Sequence, residues 1–324
     1  MTKKTRIDIA ACTDRNFVMP TGVMMQSVCV NNQDVDIVFH IIVDGDVTDD
    51  DKRDLRDITV PFEGKSIVFY LASEYIKNID YPALENRFSL TKTCYYRLWL
   101  AEIIPNDIDK ILYLDGDVIV RHSLLPLWNT DLEDNAVGAV ANEDVELFAR
   151  LKISRELGYF NSGVLLIDLK NWRENHVTNE FLEYISLHST EIVFHDQDVL
   201  NVVFREKKKW LPIEYNFAHY FLKKHVGSDF WKYEEEVRKV MRDPTIVHFT
   251  NNTIGKPWNK YQRNPHPFRS SFYKYQNQTK WKGVICENRP ITLRIINYVS
   301  DMLRKTGILP KVTRYDLIEI DPID

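Results

Sequence analysis

The chain has 324 residues, 44% hydrophobic and 27% charged, enough to bury a large core as one α/β domain or as a domain with an appended lobe. A formal net charge of -5 excludes a global case for nucleic-acid binding. The four cysteines, Cys12, Cys29, Cys94 and Cys286, show neither metal nor redox spacing; no segment reaches transmembrane length, and the apolar part of the N-terminal segment is too short for a signal peptide.

Buried free thiols and a reducing, cytoplasmic compartment are therefore expected. Asn251-Asn252-Thr253 and Asn277-Gln278-Thr279 match the glycosylation sequon, but without a secretion route they read as chance.

In chain order, Ile7 to Cys12 reads as a strand, Pro20 to Val30 as a helix and Ile37 to Val43 as a second strand. Thr48 to Asp57 reads as a helix with Thr48 as N-cap and aspartates in its first turn. Ser66 to Leu71 is a third strand. Thr91 to Ile104 carries a helical stripe through Cys94, Leu98 and Ala101, and Pro105 ends it. This alternation predicts a parallel sheet covered on both faces, with ligands bound at the carboxyl ends of its strands. Further on, Ala136 to Ala141 and Val164 to Asp168 are strand-like, and Asn179 to Leu187 and Asp198 to Phe204 are helix-like. Beyond about residue 210 the chain turns aromatic and proline-rich, a composition that fills cores or stacks on sugars.

The densest chemical signal lies in Ile111 to Val120, an apolar β-branched run interrupted by Asp115-Gly116-Asp117. The two carboxylates converge only if the strand ends or kinks there, which Gly116 permits. At a buried sheet edge they repel unless a cation or strong donors lie between them. Hard oxygen ligands suit Mg²⁺, Ca²⁺ or Mn²⁺, ions that hold phosphate-bearing substrates. An ordinary Asp-Gly turn is the competing reading. Thr13-Asp14 and Asp44-Gly45-Asp46 put further acids at strand ends. Other polar clusters stand in apolar surroundings: Asn161-Ser162-Gly163, His195-Asp196-Gln197-Asp198, and His248 followed by Lys256-Pro257-Trp258. Taken singly, each reads first as an N-cap, a core histidine or a surface charge.

Taken in order, these clusters resemble glycosyltransferase family 8, the retaining enzymes that include bacterial lipopolysaccharide galactosyl- and glucosyltransferases. The resemblance spans roughly residues 6 to 262. It is carried by Asp14-Arg15-Asn16-Phe17, Tyr96-Arg97-Leu98, Leu114-Asp115-Gly116-Asp117, Phe160-Asn161-Ser162-Gly163-Val164, Asp196-Gln197-Asp198 and His248 with Lys256-Pro257-Trp258. It implies a GT-A type, Rossmann-like α/β nucleotide-binding domain with a mixed sheet over residues 1–262. Residues 263–324 would then form a C-terminal helical or irregular extension.

The resemblance also implies a UDP-galactose or UDP-glucose donor, a glycan or glycolipid acceptor, and Mn²⁺, with Mg²⁺ as the alternative ion. Asp115, Asp117 and His248 would hold the metal, and Lys256 would add charge at the diphosphate. Asp14, Asn16 and Phe17 would take the uracil nucleotide, and Arg97 would bridge sugar and phosphate. Asn161, Asp196 and Gln197 would hold donor hydroxyls. Gln197 and Asp198 are the candidates for a covalent intermediate, against a same-face reaction that needs none. Asn251 to Ile254 lengthen the route to Gly255-Lys256, and Asn142 stands where some relatives have Asp. A haloacid-dehalogenase-type phosphatase and a non-catalytic sugar-nucleotide or glycan binder are the alternative functions. The amphipathic run from Ile291 to Lys305 reads as a membrane-surface or partner-binding helix.

Overall fold

The apolar run after Arg6 forms β1 (Arg6–Thr13), buried at every position beyond its first. It pairs in parallel with β2 (Asp36–Val43), which pairs in parallel with β3 (Lys65–Leu71). On its other side β1 runs parallel to β4 (Lys110–Leu114). This computed structural model describes residues 4–76, 92–142, 150–222, 233–250, 256–259, 266–286 and 291–308. The segment from Asn251 to Gly255 lies outside the described residues.

Helices join these strands as the alternation predicts. The helix Val18–Asn31 is buried over most of its length. In Asp49–Thr59, Thr48 caps the amide of Asp51, and the Asp51 carboxylate returns a bond to the Thr48 amide. Together with Asp49 and Asp50 this reciprocal cap places negative charge at the positive end of the helix. Lys92–Trp99 differs from the expected α-helix: it is a 3-10 helix that gives way to the single α-turn Leu100–Ile103. Thr93, Tyr95, Tyr96, Arg97, Leu98 and Trp99 are all buried. A segment covered on every side has no solvent face to impose a 3.6-residue period.

β5 (Val118–Val120) follows the Asp115-Gly116-Asp117 turn. The single strand expected through Ile111 to Val120 is thus two strands. β6 (Val137–Ala141), β7 (Phe160–Asp168) and β8 (Lys208–Trp210) complete the main sheet in the order β3-β2-β1-β4-β7-β6-β8. β7 is antiparallel to both neighbours, so the sheet is mixed. β5 instead joins β9 (Phe217–Ala218) and β10 (Ile246–His248) in a small sheet, order β5-β10-β9. The carboxylate pair therefore lies at the corner where the chain leaves one sheet for the other.

Alternation along β1 feeds two cores. Ile7, Ile9 and Ala11 face the cluster beneath Val18–Asn31, while Ala10 and Cys12 face the cluster built by Tyr95, Trp99, Tyr113, Trp172 and Phe181. Residues 266–286 do not stand apart as an extension. Phe268, Phe272 and Tyr275 are buried in the first cluster, and Trp281 packs against it. The boundary expected near residue 262 therefore cuts through a continuous core. The helix Ile291–Lys305 presents Ile295, Ile296, Tyr298, Val299 and Met302 to solvent. Among the described residues, no helix is long and apolar enough to cross a membrane.

Candidate active site

Asp115 leaves β4 with its amide still bonded to the Gly163 carbonyl at 2.8 Å, and Asp117 gives its carbonyl to the Phe249 amide at 3.0 Å. Register in the small sheet places His248 beside Val118, one residue past Asp117. One ligand atom from each of Asp115, Asp117 and His248 lies within 4.8 Å of the other two. His248 Nε2 is 3.2 Å from Asp117 Oδ1 and 3.7 Å from Asp115 Oδ2.

Two glycines make this approach possible. A Cβ at Gly163 would meet His248 Cε1 at 2.1 Å and Asp115 Oδ2 at 2.6 Å; one at Gly116 would meet Thr21 Oγ1 at 2.5 Å. Two carboxylates and an imidazole, converging without a wall between them, suit a divalent ion, and the nitrogen favours Mn²⁺ over Mg²⁺. Lys256 ion-pairs with the second oxygen of Asp117. Burial would raise the Asp117 carboxyl, but Lys256 and His248 beside it outweigh that and hold it below the usual range.

Arg97 organises the opposite side. Its side chain is 6% exposed. Nη2 donates to Asp115 Oδ1 at 2.8 Å, Nη1 to the Ser162 carbonyl at 2.6 Å, and Nε to the Cys94 carbonyl at 3.0 Å, with Asp196 Oδ2 also 3.0 Å from Nε. It stacks over the Tyr113 ring at 4.4 Å, and the Tyr113 hydroxyl donates to Asp115 at 2.9 Å. All three nitrogens are engaged within the protein, and the residue holds Asp115 and Asp196 in place. Burial pushes the Asp196 carboxyl up to about 6, with Asp115 adding to the rise and Arg97 opposing it. The same burial pushes the Cys12 thiol up to about 12, leaving it inert.

Asp196 and Gln197 stand at the start of the helix His195–Val203, entered through His195 at φ +50°. A non-glycine residue there stores about 1–3 kcal/mol of strain. The turn aims both side chains at β7: Ser162 Oγ donates to Asp196 at 3.0 Å, and the Ser162 amide donates to Gln197 Oε1 at 3.1 Å. Gln197 Oε1 also accepts from Asn161 Nδ2 at 3.1 Å, and Gln197 Nε2 meets the Tyr159 hydroxyl at 3.0 Å.

Asp198 stands elsewhere. It is fully buried, and accepts from Tyr159 and Arg150 on one oxygen and from the Val193 and Phe194 amides on the other. It secures the start of the helix, and a candidate nucleophile with both oxygens occupied inside the protein does not reach a substrate.

At the end of β1, Asp14 is buried and accepts from the Asn16 and Phe17 amides at 2.9 and 3.1 Å. Asn16 is exposed and Phe17 half-buried. Lys256 lies over the rings of Phe17 at 5.3 Å and Trp258 at 5.6 Å, which connects this corner to the carboxylate pair. Asp44 and Asp46 do not join it: Asp44 pairs with Lys92, and Asp46 accepts from the Arg15 amide. Asn142 follows β6, its amide bonded to the Tyr159 carbonyl at 2.7 Å.

Sequence reasoning missed Asn216, Tyr159 and Tyr113. Tyr113 lay two residues before Asp115, hence on its face of the strand, which was a usable signal. Asn216, a buried amide inside the aromatic run Tyr215 to Phe221, is flanked directly by two core aromatics, Tyr215 and Phe217.

A mixed α/β sheet with an acidic pair, a histidine and a lysine at its carboxyl edge has the architecture of a GT-A type glycosyltransferase. The profile of glycosyl transferase family 8 matches residues 8–262, and the chain belongs to that family. Among curated relatives, it is 30% identical to General stress protein A of Bacillus subtilis (strain 168), over 88% of this chain and 98% of that one. It is 25% identical to the lipopolysaccharide glucosyltransferase WaaO of Escherichia coli (strain K12), over 99% and 93%. Among solved structures, the galactosyltransferase LgtC in complex with donor and acceptor sugar analogs superposes with TM-score 0.70 at 24% identity, covering 89% of this chain and 99% of that one. The phosphatase alternative is set aside. It requires the acidic motif on the first core strand, whereas Asp115 follows the fourth, after three parallel ones.

Proposed function

We propose that this protein is a retaining hexosyltransferase that moves galactose or glucose from a UDP-sugar to a glycan or glycolipid acceptor, in lipopolysaccharide or other cell-surface glycan synthesis. One observation carries the reading: Asp115, Asp117 and His248 converge at a glycine-opened corner with Lys256 beside them. Family membership and the printed activities of relatives such as WaaO support the reaction class.

In this reading Asp115, Asp117 and His248 would hold Mn²⁺, which would supply Lewis-acid neutralisation of charge on the diphosphate. Lys256 gives up part of its pairing with Asp117 and adds positive charge at the diphosphate. Asp14, Asn16 and Phe17 receive the nucleoside, with Phe17 offering a ring face. Asn161, Asp196 and Gln197 line the donor sugar.

The geometry supports a same-face reaction over a covalent intermediate. Gln197 Oε1 is already occupied by two donors, Asp196 is bound to Arg97 and Ser162, and Asp198 is enclosed. The bond from the anomeric carbon to phosphate breaks, the bond to the acceptor oxygen forms on the same face, and the acceptor proton passes to the departing diphosphate.

We place the enzyme at the cytoplasmic membrane face. The exposed apolar stripe of Ile291–Lys305, with Arg304 and Lys305 in its last turn, supports surface contact with anionic lipid. Sedimentation with anionic vesicles should separate the full chain from one ending at Arg289; equal binding would refute the contact. For the activity itself, release of UDP is measured from UDP-galactose and UDP-glucose with Mn²⁺ and a panel of glycans. One donor should be consumed well above the others. Donor binding without hydrolysis or transfer across the panel would favour the non-catalytic binder.

A further inference from the structure

An uninterrupted file of hydrogen bonds runs from His248 into the protein. His248 Nδ1 meets Asn216 Oδ1 at 2.8 Å, Asn216 Nδ2 meets Asn161 Oδ1 at 2.8 Å, and Asn161 Nδ2 meets Gln197 Oε1 at 3.1 Å. Amides and imidazoles have two orientations or tautomers, so distances alone do not set the direction of such a file. Here two backbone N–H groups, which only donate, set it from separate places. The Gly163 amide donates to Asn161 Oδ1 at 3.0 Å, so the Asn161 oxygen faces Asn216. The Ser162 amide donates to Gln197 Oε1 at 3.1 Å, so Asn161 must turn its nitrogen toward Gln197, which again leaves its oxygen on the Asn216 side. Asn216 therefore points its nitrogen at Asn161 and its oxygen at His248. An oxygen accepts, so His248 Nδ1 carries a hydrogen.

We propose that Asn216 is a positioning residue that holds His248 in the Nδ1–H tautomer, so that the Nε2 lone pair is presented to the corner between Asp115 and Asp117 for a divalent cation. This rests on the metal-site reading above. Asn216 is fully buried in the turn Ile213–Asn216, which leads directly into β9, the strand paired with His248 through Ala218. The strand pairing that carries the histidine also carries its orienting group, so ring and partner move together. The opposite tautomer would set two lone pairs, Nδ1 and Asn216 Oδ1, against each other at 2.8 Å in a buried site. A histidine ligand whose far nitrogen is hydrogen-bonded is both oriented and made a better donor, and loss of such a partner costs about 10–100-fold in metal affinity.

The tautomer is read directly by long-range proton–nitrogen correlation NMR on metal-free protein with isotope-labelled histidine, at alkaline pH. The His248 signal is assigned by its loss in His248→Gln. The wild type should show a protonated Nδ1, whether or not Nε2 also holds a proton toward Asp117 Oδ1 at 3.2 Å; a bare Nδ1 overturns the proposal without any variant having to fold. Mn²⁺ binding without donor is then followed by electron paramagnetic resonance. Asn216→Leu, which removes both bonds, should bind Mn²⁺ about 10–100-fold more weakly and show mixed tautomers. Asn216→Asp, which keeps the acceptor facing Nδ1 but loses the donor to Asn161 Oδ1, should keep the wild-type tautomer and bind Mn²⁺ more tightly than Asn216→Leu. Equal weakening in both, or none in Asn216→Leu, overturns the proposal. A wild type that binds no Mn²⁺ at all overturns the metal reading instead, an outcome distinct from a normal wild type with an unaffected leucine variant.

Discussion

Replacing Arg97 by methionine keeps an unbranched apolar stem and removes the charge that three groups share. Asp115 and Asp196 lose their ion pair, at 2.8 and 3.0 Å, and the Ser162 carbonyl loses a donor at 2.6 Å. Removing one partner of a buried pair costs about 3–5 kcal/mol, because the other charge is left in a poor solvent. Unfolding entropy of about 2.1 cal/mol/K per residue, over 324 residues, gives about 0.7 kcal/mol/K, so the melting temperature should fall by about 4–7 °C.

The fall should depend on pH, with a definite sign. Burial already raises Asp196 to about 6 with Arg97 in place, and without Arg97 it rises further. A carboxyl raised above its unfolded value near 3.8 destabilises the fold most when ionised. The variant's deficit should therefore be full only above the variant's raised value, shrink as pH falls to about 6, and stay level below that, where both proteins carry the acid protonated. Differential scanning fluorimetry of metal-free wild type and variant across this range is the assay. An unchanged melting temperature with only a raised donor KM would refute the positioning role and restore Arg97 as a donor contact.

Lys256→Ala should act oppositely on two ligands. Without the lysine on Asp117, Mn²⁺ alone binds more tightly, while UDP in the presence of Mn²⁺ binds about 10–100-fold more weakly through loss of a charged hydrogen bond; titration calorimetry reads both, and parallel changes would contradict the account. Gly163→Ala should abolish Mn²⁺ binding by driving a methyl into His248 and Asp115, with electron paramagnetic resonance as the check. His266 should set an acid limit. Burial lowers it to about 3, its Nδ1 already accepts from the Phe268 amide, and its Nε2 is buried without a partner among the described residues. The unfolded chain takes up that proton first, so stability should fall by about 1.4 kcal/mol per pH unit from pH 6.5 toward 3. Denaturant titration should show a shallower slope for His266→Gln; an equal slope would contradict this.

The first half of the fold was legible because its strands are apolar runs with clear punctuation. β1, β2, β3 and the capped Asp49–Thr59 helix lie within a residue or two of their expected bounds. Lys92–Trp99 was misread because burial on all sides erases helical periodicity. The single strand from Ile111 was really two, since composition does not distinguish a kinked strand from a straight one; the Asp-Gly-Asp insertion was the only mark of the break. The cluster of Asp115, Asp117 and His248 was legible as residue types in order. The duties of Arg97 and Asp198 within the protein were not, because burial and saturation of hydrogen bonds depend on partners distant in sequence, as with Arg97 and Asp196. Asn216 was hidden for the same reason: its partners are 32 and 55 residues distant.

Coupling between cation and nucleotide tests the central claim most directly. Calorimetric titration of UDP into the metal-free protein, repeated with saturating Mn²⁺ and then with Asp117→Asn, should show affinity rising at least about tenfold with the metal, about 1.4 kcal/mol of coupling. That gain should vanish in the variant. Equal UDP affinity with and without Mn²⁺ in the wild type would contradict the assignment of Asp115, Asp117 and His248 as a cation site serving the donor.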